Sequence, residues 1–331
     1  MKKRLSQFAL FVISLTALAF CVAAMRPNSP DTDLAELGSK IEFTDQGELR
    51  TYYVARPLDA AKDELLPTVF CFHGGGGNLK GVLPMVVGLR DEGFQVVTPV
   101  GLNGHWNDGR ITKKHKEQDA RIDDTAFVER VLSRTDGIDR KRVYAFGVSN
   151  GGMFTHRLGI EKRELFTAVA IIAAPLPVAD KTWATREHAI PLPVMFIMGK
   201  EDPWLPFTGG QVIANIAPRL LSNDRDWGQG DVHSAEKTIE FWTKKNGAEL
   251  SVATEEPIAD RDPTDGCNAI RKTWEADGKL VLDYIEISGG GHTVPGAIYP
   301  EGQAAWLSRV FGNTCMDFKT TEELIGFFKQ H

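Results

Sequence analysis

Residues 142–153 read RVYAFGVSNGGM, and this stretch decides the fold. The run 142–148 is short and rich in β-branched and aromatic residues, which suits a buried strand. Gly147-Val148-Ser149-Asn150-Gly151 then fits the pattern G-x-S-x-G, and residues 150–160 can begin a helix. Strand, tight turn and helix are what a nucleophile elbow needs, because the strained turn lifts one serine clear of the sheet edge and larger side chains at the glycines would strike strand and helix. The plain alternative is a glycine-rich turn that happens to hold a serine.

Outward from this point the chain alternates. Runs of strand character fall at about 40–44, 51–55, 68–73, 94–98, 142–147, 167–173, 193–198 and 281–287, bounded by Gly, Pro or Asp. Segments long enough for helices fall at about 80–92, 119–134, 150–161, 231–246, 299–310 and 320–330. Alternation of this kind predicts an α/β fold: a mostly parallel, eight-stranded sheet with helices on both faces. The first two strands are separated by only a few residues, so they predict an antiparallel hairpin at the amino-terminal edge. Residues 39–331 show no repeat and no internal boundary, and are expected to form one catalytic domain. Proline-containing stretches at 174–191 and about 203–230 are expected to frame a crevice beyond the carboxyl ends of the strands.

A serine hydroxyl needs a base to act as a nucleophile near neutral pH. His292 is the candidate, since it lies in Ser288-Gly289-Gly290-Gly291-His292 directly after the last predicted strand. Asp202 follows the strand ending at Gly199 and can orient the imidazole, with Glu201 beside it as an adequate substitute. The resulting order is Ser149, Asp202, His292. A fourth component is an oxyanion hole. His73-Gly74-Gly75-Gly76-Gly77 closes the third strand and offers amides at Gly74 and Gly75, with Asn150 after the serine as the second source. The same glycines lack the Lys-Ser/Thr ending of a phosphate cradle. Asp123 and Asp124 are adjacent on a helix and point about 100° apart, so they cannot flank one bond as paired carboxylates, and a helix amino terminus explains them better.

Composition narrows the partners. A formal charge of −6 over 331 residues gives no basic footprint for nucleic acid or an anionic membrane. A basic cluster at the amino terminus, Lys2, Lys3 and Arg4, precedes an apolar run from Phe8 to Phe20 and small residues ending at Ala24, the form of a secretory signal peptide. Residues 1–24 are therefore expected to be removed on export to the periplasm or medium, and 25–38 to form a polar linker. A lipoprotein attached through Cys21 is disfavoured by the bulky Phe20 before it. Of the remaining cysteines, Cys71 lies in an apolar run and suits the core, which leaves Cys267 with Cys315 as the one conceivable disulfide.

Taken together, these residues resemble the secreted esterases grouped with polyhydroxybutyrate depolymerases and the related feruloyl and acetylxylan esterases. The likeness rests on His73-Gly74 with its glycine run, Trp106-Asn107-Asp108-Gly109-Arg110, Asp123-Asp124 with Phe127, residues 147–153, Gly199 with Asp202 and Leu205-Pro206-Phe207, and Gly289 to Gly296. It implies the α/β-hydrolase fold and a serine ester hydrolase acting through an acyl-enzyme on short-chain or polymer-linked esters, without metal or organic cofactor. Two departures stand out: Val294 occupies a position where the family commonly has Trp, and Cys267 lacks the family's nearby cysteine partner. Trp106, Trp204, Leu205 and Phe207 are candidates for the substrate pocket. Trp106 and Arg110 could instead serve the scaffold, Arg110 by pairing with an acid such as Asp123. Two other functions remain open: a non-catalytic exported binding protein on the same fold, and a serine peptidase, which the lack of room for a propeller domain disfavours.

Overall fold

The computed structural model describes residues 33–112, 122–179, 191–213, 229–248, 253–299 and 304–331. The predicted signal peptide lies outside them. Ten strands form the main sheet: β1 (Ser39–Asp45), β2 (Glu48–Ala55), β3 (Leu66–Phe72), β4 (Gln95–Pro99), β5 (Ile138–Val148), β6 (Ala168–Ile172), β7 (Val194–Gly199), β10 (Thr254–Pro257), β11 (Asn268–Ala276) and β12 (Lys279–Ser288). β8 (Gly210–Gln211) and β9 (Asp231–Val232) make a separate short ladder. The order across the main sheet is β1-β2-β4-β3-β5-β6-β7-β12-β11-β10. The six strands from β4 to β12 run parallel, and antiparallel pairs close both edges.

Among the described residues six helices carry the connections and ends: α1 (Leu83–Asp91), α2 (Asp124–Arg134), α3 (Asn150–Glu161), α4 (Ala235–Lys245), α5 (Ala304–Phe311) and α6 (Thr320–Gln330). Alternate residues of β3 show why both faces need cover. Val69 and Cys71 enter a cluster with Met85 and Leu89 of α1 and Leu324 and Phe328 of α6. Phe70 and Phe72 enter the opposite cluster with Phe127 of α2, Phe154 of α3 and Trp242 of α4. A strand buried on both sides reads as a continuous apolar run, which is what residues 69–72 are. Cys71 is fully buried, as its sequence context predicts.

All eight predicted strands are present, and the hairpin of β1 and β2 turns through Gln46 and Gly47 at positive φ. The sheet is wider than predicted by β10 and β11 at the carboxyl-terminal edge. β10 is exposed throughout and β11 is only partly covered, so neither carries an apolar signal. Residues 33–37, expected in the linker, instead form a 3₁₀ turn that buries Leu37 completely. No helix among the described residues is long and apolar enough to cross a membrane.

Candidate active site

Ser149 stands between β5 and α3 with φ 56° and ψ −121°, a backbone that a non-glycine residue adopts only when its surroundings impose it. The surroundings are tight. A Cβ on Gly147 would lie 2.2 Å from the carbonyl oxygen of Gly151, and one on Gly151 would lie 2.2 Å from that of Phe72. Both G-x-S-x-G glycines are thus required by close backbone approach. The Ser149 N–H donates to Ile172 O at 2.9 Å, and its carbonyl accepts from Met153 N–H at 2.9 Å, which fixes the turn between β6 and the first turn of α3.

Parallel β7 and β12 bring the other two predicted residues to the same sheet edge. Nε2 of His292 lies 2.8 Å from Ser149 Oγ, and Nδ1 lies 2.6 Å from Asp202 Oδ2. The other Asp202 oxygen accepts the N–H groups of Trp204 and Leu205, each at 2.8 Å. Three donors on one buried carboxylate hold it as an acceptor, so the Nδ1–H tautomer is favoured and Nε2 is left to take the serine proton. Glu201 does not compete, since its carboxylate accepts from Gly289 N–H. The base loop is itself anchored: Gly291 N–H donates to Asn313 O at 2.9 Å, and His292 N–H to Phe311 O.

The predicted oxyanion residues lie against the serine. A Cβ on Gly74 would sit 3.6 Å from Ser149 Cβ, and one on Gly75 would sit 3.8 Å from Asn150 Cβ. Asn150 opens α3, so its N–H is among the amides that a helix cannot satisfy internally. His73 orients the other candidate donor. Gly101 N–H donates to His73 Nε2 at 2.9 Å, so Nδ1 carries the proton and donates to Gly74 O at 2.7 Å. A trans peptide places the Gly75 N–H opposite that carbonyl, away from the His73 ring. Burial lowers the His73 pKa to about 4, which keeps this neutral tautomer near pH 7.

The segment 106–110 has a role that short motifs do not reveal. Asn150 Oδ1 accepts Trp106 N–H at 2.8 Å, while Nδ2 donates to Trp106 O at 3.1 Å and to Asp108 Oδ2 at 2.7 Å. Arg110 Nε lies 3.0 Å from both oxygens of Asp108, so its acid partner is Asp108 and not Asp123. Asp123 caps α2 by accepting Ala126 N–H at 3.0 Å. Asp124 does more than favour a helix terminus: it forms a buried ion pair with Arg50 at 2.7 Å and accepts Asn107 N–H at 2.8 Å.

Of the four pocket candidates, the structure brings one beside the triad. Trp204 is half-buried, with its ring 6.2 Å from that of His292 at an interplanar angle of 20°. Trp106 is wholly buried and stacks on Phe154, and Leu205 is a core residue, so neither presents a surface to a ligand. Phe207 lines a different groove of about 300 Å³ with Ile239, Trp274 and Tyr284.

No family model matches the chain. Among curated proteins, "Putative esterase NocK" of Nocardia uniformis subsp. tsuyamanensis is 28% identical over 289 residues, covering 85% of this chain and 79% of that protein. "Probable feruloyl esterase C" of Aspergillus niger is 22% identical over 258 residues, covering 70% of this chain and 88% of that protein. Among solved structures, the acetyl xylan esterase from Aspergillus awamori aligns with a TM-score of 0.54 at 17% identity, over 82% of this chain and 99% of that one. The architecture is that of the α/β-hydrolases.

Proposed function

We propose that this chain, a carboxylic ester hydrolase, works through an acyl-enzyme on Ser149. The observation that carries the reading is the unbroken chain of hydrogen bonds from Ser149 Oγ through His292 to Asp202. His292 Nε2 takes the hydroxyl proton as Oγ attacks the ester carbonyl, and Asp202 stabilises the imidazolium. The Asn150 and Gly75 amides receive the developing oxyanion, and His292 returns the proton to the leaving alcohol. Water, deprotonated by the same imidazole, then releases the acid.

The substrate class we favour is a short-chain or polymer-linked ester of the feruloyl, acetyl-xylan or polyhydroxyalkanoate kind. The similarity to proteins named feruloyl esterase and acetyl xylan esterase supports the first two. An exported enzyme, cleaved near Ala24 and built as one domain over 39–331, fits a polymeric substrate that stays outside the cell. The half-buried Trp204, stacked on Phe311 beside the base, is the apolar side chain we place nearest the acyl or alcohol part.

The test is hydrolysis of hydroxycinnamoyl, acetyl-xylan and hydroxybutyrate esters by the native protein and by Ser149→Ala. We expect the variant to lose a factor of about 10⁴ or more in kcat and all labelling by a fluorophosphonate probe. Equal rates for the two proteins would refute the assignment. A folded native protein that neither labels nor turns over would indicate a binding protein instead.

A further inference from the structure

We infer that Cys267 and Cys315 are joined by a disulfide that fastens the loop carrying His292. The two cysteines come from separate parts of the chain: Cys267 directly precedes β11, and Cys315 lies between α5 and α6. Both are buried, and their Sγ atoms and a carboxylate oxygen of Asp265 all lie within 4.8 Å of one another. The two thiols are unbonded in this structure, and their sulfurs stand within 4.8 Å of one another against a bond length of about 2 Å. Asp265 already holds the two segments together. Its carboxylate accepts the N–H of Cys267 at 2.7 Å and that of Met316 at 2.6 Å.

A metal is the competing occupant of such a cluster. Both Asp265 oxygens are committed to amides, and among the described residues no fourth donor joins the group, whereas a structural zinc site uses four. The donor set suits a sulfur–sulfur bond better.

What the bond would hold is the base. Four hydrogen bonds lean the His292 loop on the segment that contains Cys315. Gly291 N–H and Thr293 Oγ1 donate to Asn313 O at 2.9 and 3.0 Å, His292 N–H donates to Phe311 O, and Gly296 N–H donates to Cys315 O at 2.8 Å. On the other side Gly289 abuts Gly266, where an added Cβ would come within 1.9 Å of the Gly266 oxygen. A Cys267–Cys315 bond closes this arrangement into a ring around residues 289–296.

The oxidant is a second disulfide, either glutathione disulfide or a disulfide-bearing oxidoreductase of an exported compartment. One cysteine thiolate attacks it, forming a mixed disulfide and expelling one thiolate. The second cysteine loses its proton and attacks the protein sulfur of the mixed disulfide, releasing the other thiolate. The two protein thiols lose two electrons and two protons, and the donor gains both as two thiols. Cys267 beside it and burial push the Cys315 thiol well above its ordinary range, so exchange belongs to folding, before the pair is packed.

The full chain, exported to a bacterial periplasm and purified without reductant, is unfolded in guanidinium chloride with iodoacetamide and digested. Cys71 should be alkylated, and the peptides holding Cys267 and Cys315 should be found joined and separated only by a phosphine. Reduction of the native protein should lower Tm by roughly 5–10 °C. Cys71→Ser should keep the linkage and Cys267→Ser should lose it. If Cys267→Ser does not fold, the map of the native chain decides. Alkylation of both Cys267 and Cys315 without reductant would overturn the proposal, as would one equivalent of zinc retained by the native protein and removed by a chelator. The linkage is read by mass, so this result is independent of any assay of ester hydrolysis.

Discussion

The indole N–H of Trp106 donates to the carbonyl oxygen of His73 at 3.0 Å, inside the core and beneath the proposed oxyanion hole. The backbone of the same tryptophan is gripped on both sides by the Asn150 side chain. One residue therefore ties the Gly75 amide to the Asn150 amide, the two donors proposed for the hole. Their preorganisation is worth about 3 kcal/mol per donor in enzymes that stabilise an oxyanion this way.

Trp106→Phe keeps the stacking surface against Phe154 but strands the His73 carbonyl without its donor. We expect stability to fall by about 1–3 kcal/mol, the cost of an unsatisfied buried acceptor. In catalysis kcat should fall by about tenfold with KM little changed, since only the transition state draws on the hole. Steady-state kinetics on a p-nitrophenyl ester settle it; a rise in KM with kcat intact would assign Trp106 to substrate binding.

Asp202→Asn tests the orienting carboxylate separately from the fold. Its Oδ1 holds the Trp204 and Leu205 amides, and an asparagine oxygen can take over that task. The amide nitrogen cannot accept the Nδ1–H of His292, so the imidazole is driven to the wrong tautomer. A loss of about 10³–10⁴ in kcat is expected, with Tm nearly unchanged. A loss below tenfold would mean that Glu201 or water replaces the carboxylate.

The site was legible in the sequence where chemistry coincides with a chain signal. Ser149, Asp202 and His292 each follow an apolar strand and sit among turn residues, so position along the chain already implies position at the sheet edge. Trp106 could not be placed this way, because its role depends on His73 and Asn150, which lie 33 and 44 residues away in the chain. The Asp108–Arg110 pair is local, but nothing in its spacing distinguishes a buried pair from a solvated one. At the carboxyl edge the strand signal is masked for a different reason. β11 and β12 are joined by Asp277-Gly278, both at positive φ, a two-residue hairpin turn that the sequence does announce. The charged residues of 268–276 hid the strand on its amino side.

Two glycines should respond in opposite directions to the same added methyl group. In Gly151→Ala the Cβ would press on the Phe72 and His73 carbonyl oxygens at 2.2 and 2.5 Å, where strand and helix backbones would have to separate. That variant should lose several kcal/mol or fail to fold. Gly326 is exposed within α6 and has nothing within 4 Å of its built Cβ. Gly326→Ala should therefore raise stability by about 0.5–1 kcal/mol by restricting the unfolded chain. Urea midpoints of the two variants against the native protein give the comparison.

Two buried neutral histidines predict a loss of stability in acid. Burial lowers His73 to about 4 and His156 to about 3. In His156 the Trp242 indole donates to Nδ1 at 2.9 Å, so a second proton there would face another donor. Both folded pKa values lie below the unfolded value near 6.5, so the unfolded chain binds more protons in between. The stability each histidine contributes is complete above about pH 6.5 and is lost as pH falls toward its folded pKa, by about 2 kcal/mol each at pH 5. Asp283 works the other way: burial, partly offset by Arg271, raises it to about 6, so its ionised form costs stability as pH rises through that value. The net change between pH 7.5 and 5 thus mixes opposing terms, and a variant is needed to separate them. His156→Gln removes one titrating group and should make the fall in unfolding free energy between these pH values smaller by about 2 kcal/mol. The same fall in variant and native protein would show that His156 is protonated in the folded state at pH 5, contrary to its buried, indole-capped position.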